Sequence, residues 1–490
     1  MLDIQAPDDN LAQMIQNYGY PENSSIENNS AYSHLLAHFI TKTVPFKFRG
    51  IDFSFGLSQG LFSSADIDTG TKLLLKVFSA VLDRVDDEDK PLPVHILDAG
   101  CGIGVMGICA AAAIRIMGGA VNVRCQDRSE LARLITVYNA VMNHIPSTVL
   151  KARAEPLLSG PSSQRWDLIM TNIPAKAGQP VLEDFVTRSL GLLGSQGKVI
   201  MVAVQSLADF FRNIINAAGA YIQHEEKGPE HHVFVYTSGN RSIPRLHPVK
   251  ARPEFLTNYP FYRRAGIDFE AEDILMHIQT VYGAAGFDSQ NAAEHTAMAL
   301  IKKMERRLIP DNIKRLLIHE PGQGFFPCWL HTFLRRFINY SPADTCTNNA
   351  PQLTLSGRNI LTLEAARHNY NHYADRPCVI VPAADLTLGK EEILKAAAQC
   401  TEKENITGHQ YGFIIAFPEL LAQSSLPRGA DQLASLWESI SGLLSPKGIF
   451  IAGFSSKDAE RFDRKKPAGF MRQEDIKRRG FRALAYKKSI

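Results

Sequence analysis

At 490 residues the chain has room for about two or three domains. A composition of 45% hydrophobic, 21% charged and 9% aromatic residues is ordinary for a globular protein and excludes a disordered, collagen-like or disulfide-miniprotein chain. A net charge of +3 names no partner, and the lack of an uninterrupted apolar run of about 18 residues argues against a membrane-spanning helix.

The opening MLDIQAPDDNLAQM has two adjacent aspartates and no basic segment, so no secretory signal is expected. The seven cysteines (Cys101, Cys109, Cys125, Cys328, Cys346, Cys378, Cys400) form no CxxC pair, which predicts neither a zinc site nor a disulfide framework and fits a cytoplasmic protein. Charge is uneven along the chain. The first forty residues hold five acids and no Lys or Arg, whereas Arg461–Ile490 hold eleven Lys/Arg against three acids. A basic end is either a footprint for a phosphate backbone or a solvated face.

In chain order, residues 1–43 read as a polar lead-in. A β/α alternation follows, with strands expected at Val94–Asp98, Val121–Gln126, Thr148–Ala152, Trp166–Thr171, Lys198–Val204 and His232–Thr237. Helices are expected at Gly104–Met117, Glu130–Asn143, Val181–Leu193 and Ser206–Ala218. Such alternation predicts an α/β fold with a mainly parallel sheet covered by helices on both faces. Four prolines around Ile243–Pro260 suggest a linker, and Ile274, Ile278, Val281 and Tyr282 fall at helical spacing within Glu270–Arg307. The expected division is a lead-in at 1–43, a first domain at 44–242, a linker and helical segment at 243–309, and a second domain at 310–490.

The second domain echoes the first. VRCQDRSELARLITVYN from Val123 aligns without gaps on LTLSGRNILTLEAARHN from Leu353, placing Gly357 opposite Asp127 and Asn369 opposite Asn139. ILDAGCG (from Ile96) against IHEPGQG (from Ile318), DLIMTNIP (from Asp167) against YGFIIAFP (from Tyr411), and LLGSQGKVIMVAV (from Leu192) against LLSPKGIFIAGFS (from Leu443) keep the same order. Repeats in conserved order predict two copies of one fold.

The segment richest in chemistry is ILDAGCGIGVMG, Ile96 to Gly107. An apolar strand ends in Asp98, and Gly100, Gly102 and Gly104 precede a small-residue helix whose N–H groups would face a ligand. Gly102-x-Gly104-x-x-Gly107 also satisfies the dinucleotide fingerprint. A carboxylate directly before the turn would repel a pyrophosphate and welcome a protonated amine, which favours S-adenosylmethionine (SAM) over NAD. Asp127, at the end of the next strand, suits the two hydroxyls of a ribose or a helix cap. Glu155 stands where an adenine amino group could be reached, or is a plain loop acid. In WDLIMTNIPAKAGQPV a fourth strand ends in Asn172-Ile173-Pro174. An Asn side-chain carbonyl and the next backbone carbonyl offer two acceptors to one planar amino group, aiming its nitrogen at an electrophilic methyl.

FSFGLSQGLFSSADIDTGTKLLL (Phe53–Leu75), ILDAGCGIG and TNIPAKAG together resemble class I SAM-dependent methyltransferases, specifically the small methyltransferase domain of rRNA guanine-N2 methyltransferases. The resemblance covers about Val44–Thr237. It implies a seven-stranded Rossmann-like sheet, SAM as cofactor, and methyl transfer to an exocyclic base nitrogen of RNA, with rRNA as partner. By resemblance, Phe62, Ser63, Asp68 and Thr71 cover the cofactor and target pocket. Asp98, Gly100 and Gly102, with Gly104 beside them, hold the methionine moiety, Asp127 the ribose, and Asn172 with Ile173 and Pro174 the target nitrogen. Two departures stand out. The family's Asn-Pro-Pro reads Asn-Ile-Pro, and Ala175 replaces an aromatic on which a flipped base could stack, leaving Lys176 as a candidate phosphate contact.

The second copy resembles the same fold with its ligand groups lost: Glu320, Gly322 and Gly324 keep a turn stiffened by Pro321, and Ala416-Phe417-Pro418 stands for Asn172-Ile173-Pro174. Among the relatives the degenerate copy usually comes first, and here it is second. His231-His232 and His368/His372 lack further ligands at metal spacing. Arg461, Arg464, Lys465 and Lys466 with Phe462 and Phe470, then Lys477, Arg478 and Arg479, form a candidate RNA contact. Three rival readings stay open: a non-catalytic RNA-binding or assembly module of two pseudo-methyltransferase domains, an NAD-dependent oxidoreductase, and a methyltransferase acting on a protein or small-molecule amine.

Overall fold

The computed structural model describes residues 36, 39–61, 64–87, 91–160, 163–238, 256, 259–304, 313–337, 351–401, 409–420 and 431–489. The lead-in up to residue 35, Phe62, Ser63 and most of the expected linker lie outside the described residues. The described residues fall into two compact units, one before and one after position 251.

The first unit opens with a hairpin, β1 (Lys42–Phe48) and β2 (Ile51–Leu57), followed by helix α1 (Thr69–Asp87). The alternation then runs β3 (His95–Ala99), α2 (Val105–Ile116), β4 (Asn122–Asp127), α3 (Glu130–Met142), β5 (Leu150–Ala154), β6 (Trp166–Asn172), α4 (Gln179–Leu192), β7 (Leu193–Val204), α5 (Ala208–Ala217), β8 (Ala220–Lys227) and β9 (His231–Ser238). The seven-stranded sheet has the order β5-β4-β3-β6-β7-β9-β8. Five strands are parallel and β9 runs antiparallel to both β7 and β8.

Burial on both faces explains why β3 and β6 read as apolar runs. Helix α2 packs close because position 107 is glycine: a Cβ there would lie 2.5 Å from Cys125 Sγ. The chain moves outward from β3 to β5 and returns to β6, so strand direction of travel reverses beside β3. The carboxyl ends of β3, β4 and β6 therefore border the crevice in which such sheets bind ligands.

The second unit repeats this plan: hairpin β10 (Arg263–Ala271) and β11 (Ile274–Val281), α6 (Ala292–Met304), β12 (Arg315–His319), α7 (Phe325–Phe337), β13 (Gln352–Gly357), α8 (Ile360–Tyr373), β14 (Val379–Pro382), α9 (Lys390–Thr401), β15 (Tyr411–Ala416), α10 (Gln432–Leu443), β16 (Leu444–Ser455), α11 (Ser456–Arg464), β17 (Phe470–Arg478) and β18 (Phe481–Lys488). Its order, β14-β13-β12-β15-β16-β18-β17, matches the first sheet strand for strand. The duplication includes the hairpins. Asn139 accepts from Gly56 N–H and donates to the carbonyls of Gly56 and Ile103; Asn369 does the same with Gln279 and Gln323.

Strand register corrects two of the four sequence alignments. Ile96 pairs with Val123 and Leu168 in the first sheet, as Leu316 pairs with Leu353 and Phe413 in the second. Asp98 therefore corresponds to Ile318 rather than Glu320, and Gly100 corresponds to Glu320. Likewise Asn172 corresponds to Phe417, and Ile173-Pro174 to Pro418-Glu419. The alignments from Val123 and from Leu192 hold in register.

The helix expected across Glu270–Val281 is instead the β10–β11 hairpin, and helix begins only at Ala292. The buried faces of α6, including Ala297, Leu300 and Ile301, share a core with Ile449, Ile451, Ala483 and Ala485 of the second sheet, so this segment is no linker. The aromatic part of the basic C-terminal candidate is also corrected. Phe462 and Phe470 are buried with ring centroids 4.2 and 5.0 Å from Trp437, so neither can stack on a base. Arg461, Lys465 and Arg478 pair with Asp458, Asp431 and Glu272, and Lys466 donates to the Phe470 carbonyl.

Candidate active site

The turn after β3 has Gly100, Gly102 and Gly104 at φ +77°, +55° and +85°, where a Cβ is disfavoured. Gly100 and Cys101 N–H both donate to the Gln126 carbonyl, folding the turn against β4. The glycines differ in their surroundings. Among the described residues a Cβ on Gly102 would meet nothing within 4 Å, whereas one on Gly104 would lie 2.7 Å from Thr136 Cγ2. Gly102 thus borders open space, and Gly104 serves the close packing of the turn on α3.

Asp98 is fully buried. Its Oδ2 accepts from Gly107 N–H at 2.8 Å, and among the described residues Oδ1 has no hydrogen-bond partner. Burial raises its carboxyl to about 7; the Gly107 N–H pulls it down and the nearby Asp127 charge pushes it up. A buried carboxyl with one unsatisfied oxygen is suited to receive a cation.

Asp127 is half-buried. Its two oxygens accept from Gly102 N–H at 3.1 Å and Ser129 N–H at 2.9 Å, so it braces the glycine turn. The cap of α3 is Ser129 itself, which accepts from Ala132 N–H, and not Asp127. Glu155 follows β5, where its N–H donates to the Asp127 carbonyl. Its side chain pairs with Arg124 and accepts from Gln126 Nε2 at 3.0 Å, an ion-paired setting that sequence reading did not foresee.

Asn172 ends β6, half-buried. Its Nδ2 donates to Asp68 Oδ2 at 2.8 Å and Thr71 Oγ1 at 3.2 Å, bringing the Asp-x-Gly-Thr segment onto the strand tip. Asp68 Oδ2 also accepts from Thr71 N–H at 3.1 Å, capping α1. Ile173 is buried and its N–H donates to the Val202 carbonyl, while Pro174, Ala175 and Lys176 are exposed. Sequence reading placed Asp68 and Thr71 near the pocket and missed their grip on Asn172; no spacing in the sequence encodes that contact.

The equivalent turn in the second domain is crowded by acidic side chains, beside a cavity bordered by Glu320, Arg358, Asp385 and Glu419. Glu320, at the Gly100 position with φ +55°, accepts from Arg358 N–H at 2.8 Å and lies over Gly357, whose Cβ would be 3.3 Å from its Oε2. Glu294 Oε1 would be 2.8 Å from a Cβ on Gly322, the counterpart of the open Gly102. Phe417 replaces Asn172 and packs edge-on against Phe326 at 5.0 Å. Glu294 thus borders the turn position that is open at Gly102, and the Asn172 amide is replaced by an aromatic ring.

Residues 52–224 match the methyltransferase small domain family. This part of the chain is a class I SAM-dependent methyltransferase domain. The chain is 27% identical over 205 residues to the uncharacterized protein YbxB of Bacillus subtilis (strain 168), covering 40% of this chain and 89% of that protein. It is 29% identical over 148 residues to ribosomal RNA small subunit methyltransferase C of Pseudoalteromonas atlantica, covering 29% of this chain and 38% of that enzyme. The methyltransferase match thus spans well under half of that rRNA enzyme. In fold, the chain is similar to the T. Thermophilus 16S rRNA N2 G1207 methyltransferase (RsmC), solved in complex with AdoMet and guanosine. The TM-score is 0.55 at 13% identity, over 92% of this chain and 99% of that one.

SAM is the cofactor of the methyltransferase domain, and the residues present fit it. Asp98 offers an unsatisfied buried oxygen, the Gly102 turn leaves room, and Asp127 lies at the next strand end. Among the described residues no helix is long and apolar enough to cross a membrane, and no three His, Cys, Asp or Glu side chains gather as a metal site.

Proposed function

We propose that this protein methylates the exocyclic amino group of a guanine in rRNA in the cytoplasm, using the first domain as catalyst and the second as substrate-binding support. The observation that carries this reading is the orientation of Asn172. With Nδ2 donating to Asp68 and Thr71, Oδ1 is the atom left for a substrate, and an amide oxygen accepts from an amine N–H.

When bound, the cofactor supplies an electrophilic methyl on a sulfonium. Asp98 and the Gly100–Gly102 turn hold its methionine end, and Asp127 accepts from the ribose hydroxyls. Asn172 Oδ1 and the Ile173 carbonyl accept the two N–H hydrogens of the target amine. Held so, the amine lone pair would face the methyl that the cofactor would supply, and the amine would give up a proton to water once the N–C bond had replaced the S–C bond. The residues act by positioning, which suffices for large rate gains when the reacting atoms are held in line.

The guanine and rRNA assignment draws on relatives named as rRNA methyltransferases and on the guanosine-bound RsmC of the same fold. A pseudo-enzyme assembly module would have no need of the open Gly102 cradle or of an unsatisfied Asp98 oxygen. Mass mapping of rRNA nucleosides from cells lacking the protein tests the reading. One N2-methylguanosine present in wild type is expected to disappear, and an unchanged map would overturn the rRNA assignment.

A further inference from the structure

We infer that Asp68 is a positioning residue that decides which end of the Asn172 amide meets the target. This rests on the reading of Asn172 as the acceptor for an amine. An amide can rotate by half a turn with little change in shape, so something must tell its oxygen from its nitrogen. Asp68 supplies that distinction. Its Oδ2 receives Nδ2 at 2.8 Å, and Thr71 Oγ1 receives the same nitrogen at 3.2 Å. A turned amide would set its oxygen against a carboxylate oxygen and leave the two Nδ2 hydrogens without these partners. Among the described residues nothing donates to Asn172 Oδ1, so the lock leaves the oxygen outward.

The lock is a selectivity device. An outward acceptor favours a target atom that carries N–H and opposes one that presents a carbonyl oxygen. It is also built into the fold economically, because the same Asp68 oxygen caps α1 through Thr71 N–H at 3.1 Å. The strand tip and the helix start are thereby tied to one atom. Gly70 completes the fit: a Cβ there would lie 2.8 Å from Asp68 Oδ2 and from His231 Cδ2.

Because Asp68 has two roles, the test must separate them. Asp68→Ser retains a helix-capping hydroxyl but is too short to reach Asn172. Asp68→Asn can place one oxygen where Oδ2 now stands and serve both. Three readouts are taken on the full chain: SAM binding by calorimetry, methyl transfer from SAM to rRNA of cells lacking the protein, and the Asn172 side-chain amide resonance in a 15N-asparagine sample. For Asp68→Ser the rate is expected to fall about tenfold or more with SAM affinity within about twofold, and the protons of the Asn172 amide to exchange faster. Asp68→Asn is expected to recover most of the rate and the slow exchange. Thr71→Val is expected to show the same loss to a smaller degree.

An Asn172 amide signal indifferent to Asp68→Ser would overturn the lock. So would a loss of rate matched by an equal loss of SAM affinity, which would make Asp68 part of cofactor binding. If the wild-type chain transfers no methyl to rRNA, the proposed function fails, while the amide resonance still decides whether Asp68 holds the rotamer.

Discussion

Gly107 N–H donates to one oxygen of Asp98 across 2.8 Å, and the other has no partner among the described residues. The helix that follows the glycine turn therefore half-satisfies the acid at the end of β3 and presents the rest of it to a ligand. Several measurable consequences rest on this pair and on its neighbours.

The first concerns pH. The Asp98 carboxyl is raised to about 7 by burial, above its usual value of 3.8 in an unfolded chain. The ligand-free domain binds this proton more tightly than the unfolded chain does, so this contribution to its stability is fully present below about pH 4 and is lost as pH rises through 7. A cationic amine binds only the ionised acid, so SAM affinity should strengthen as pH rises from 5.5 to 7, by up to about tenfold per unit. Calorimetry across that range checks it. Asp98→Asn should bind weakly at every pH, with the slope gone.

Asn172→Ala should leave SAM affinity within about threefold of wild type and lower methyl transfer by roughly a hundredfold, since the change removes an acceptor for the target amine rather than a cofactor contact. Comparing calorimetry with single-turnover rates separates the two quantities, and parallel losses would contradict the assignment.

For Asp127→Ala, SAM affinity should fall by about tenfold or more, because hydrogen bonds to a charged group contribute roughly 1.5–3 kcal/mol. The substitution also frees Gly102 and Ser129 N–H. Asp127→Asn keeps one acceptor and should lie between. Unchanged affinity in the alanine variant would refute the ribose role.

Gly107→Ala should destabilise the first domain by about 1–3 kcal/mol, the usual cost of overpacking, because the new Cβ would sit 2.5 Å from Cys125 Sγ. Thermal unfolding reads this directly. Gly107 is helical and carries no left-handed strain; Gly118→Ala, at φ +80° with no described atom within 4 Å of its Cβ, should show backbone strain without overpacking.

SAM should bind with a stoichiometry near one per chain. Glu294 crowds the second turn at Gly322, Gly357 lacks the ribose carboxylate and Phe417 lacks the amide, so titration of the intact protein to a ratio near two would contradict the loss of the second site.

The parts legible in the sequence share a physical cause. β3, β4, β6, β7 and β9 are buried on one or both faces and bounded by turn residues, so their apolar runs stand out, and Asp98 and Asn172 are identifiable as the polar residues at their ends. The β10–β11 hairpin misled because Ile274 and Ile278 share a face at both strand and helical spacing. Leu275, 68% exposed between buried neighbours, reveals the two-residue period only in the folded chain. The repeat alignment slipped by two residues because it matched acid to acid, Asp98 to Glu320. The backbone instead matches left-handed positions, Gly100 to Glu320, and side-chain identity carries no record of φ. The Asp68–Asn172 contact spans 104 positions, and pairing at that distance leaves no local pattern.

The loss of the ribose carboxylate and of the amide from the second domain leaves SAM one domain to stabilise. A ligand that binds only the native state raises that state's melting point in proportion to its logarithmic excess over Kd. Saturating SAM should therefore lift the unfolding of one half of the molecule and leave the other where it was. The second sheet is then expected to hold the same stability whether the methyl donor is scarce or abundant.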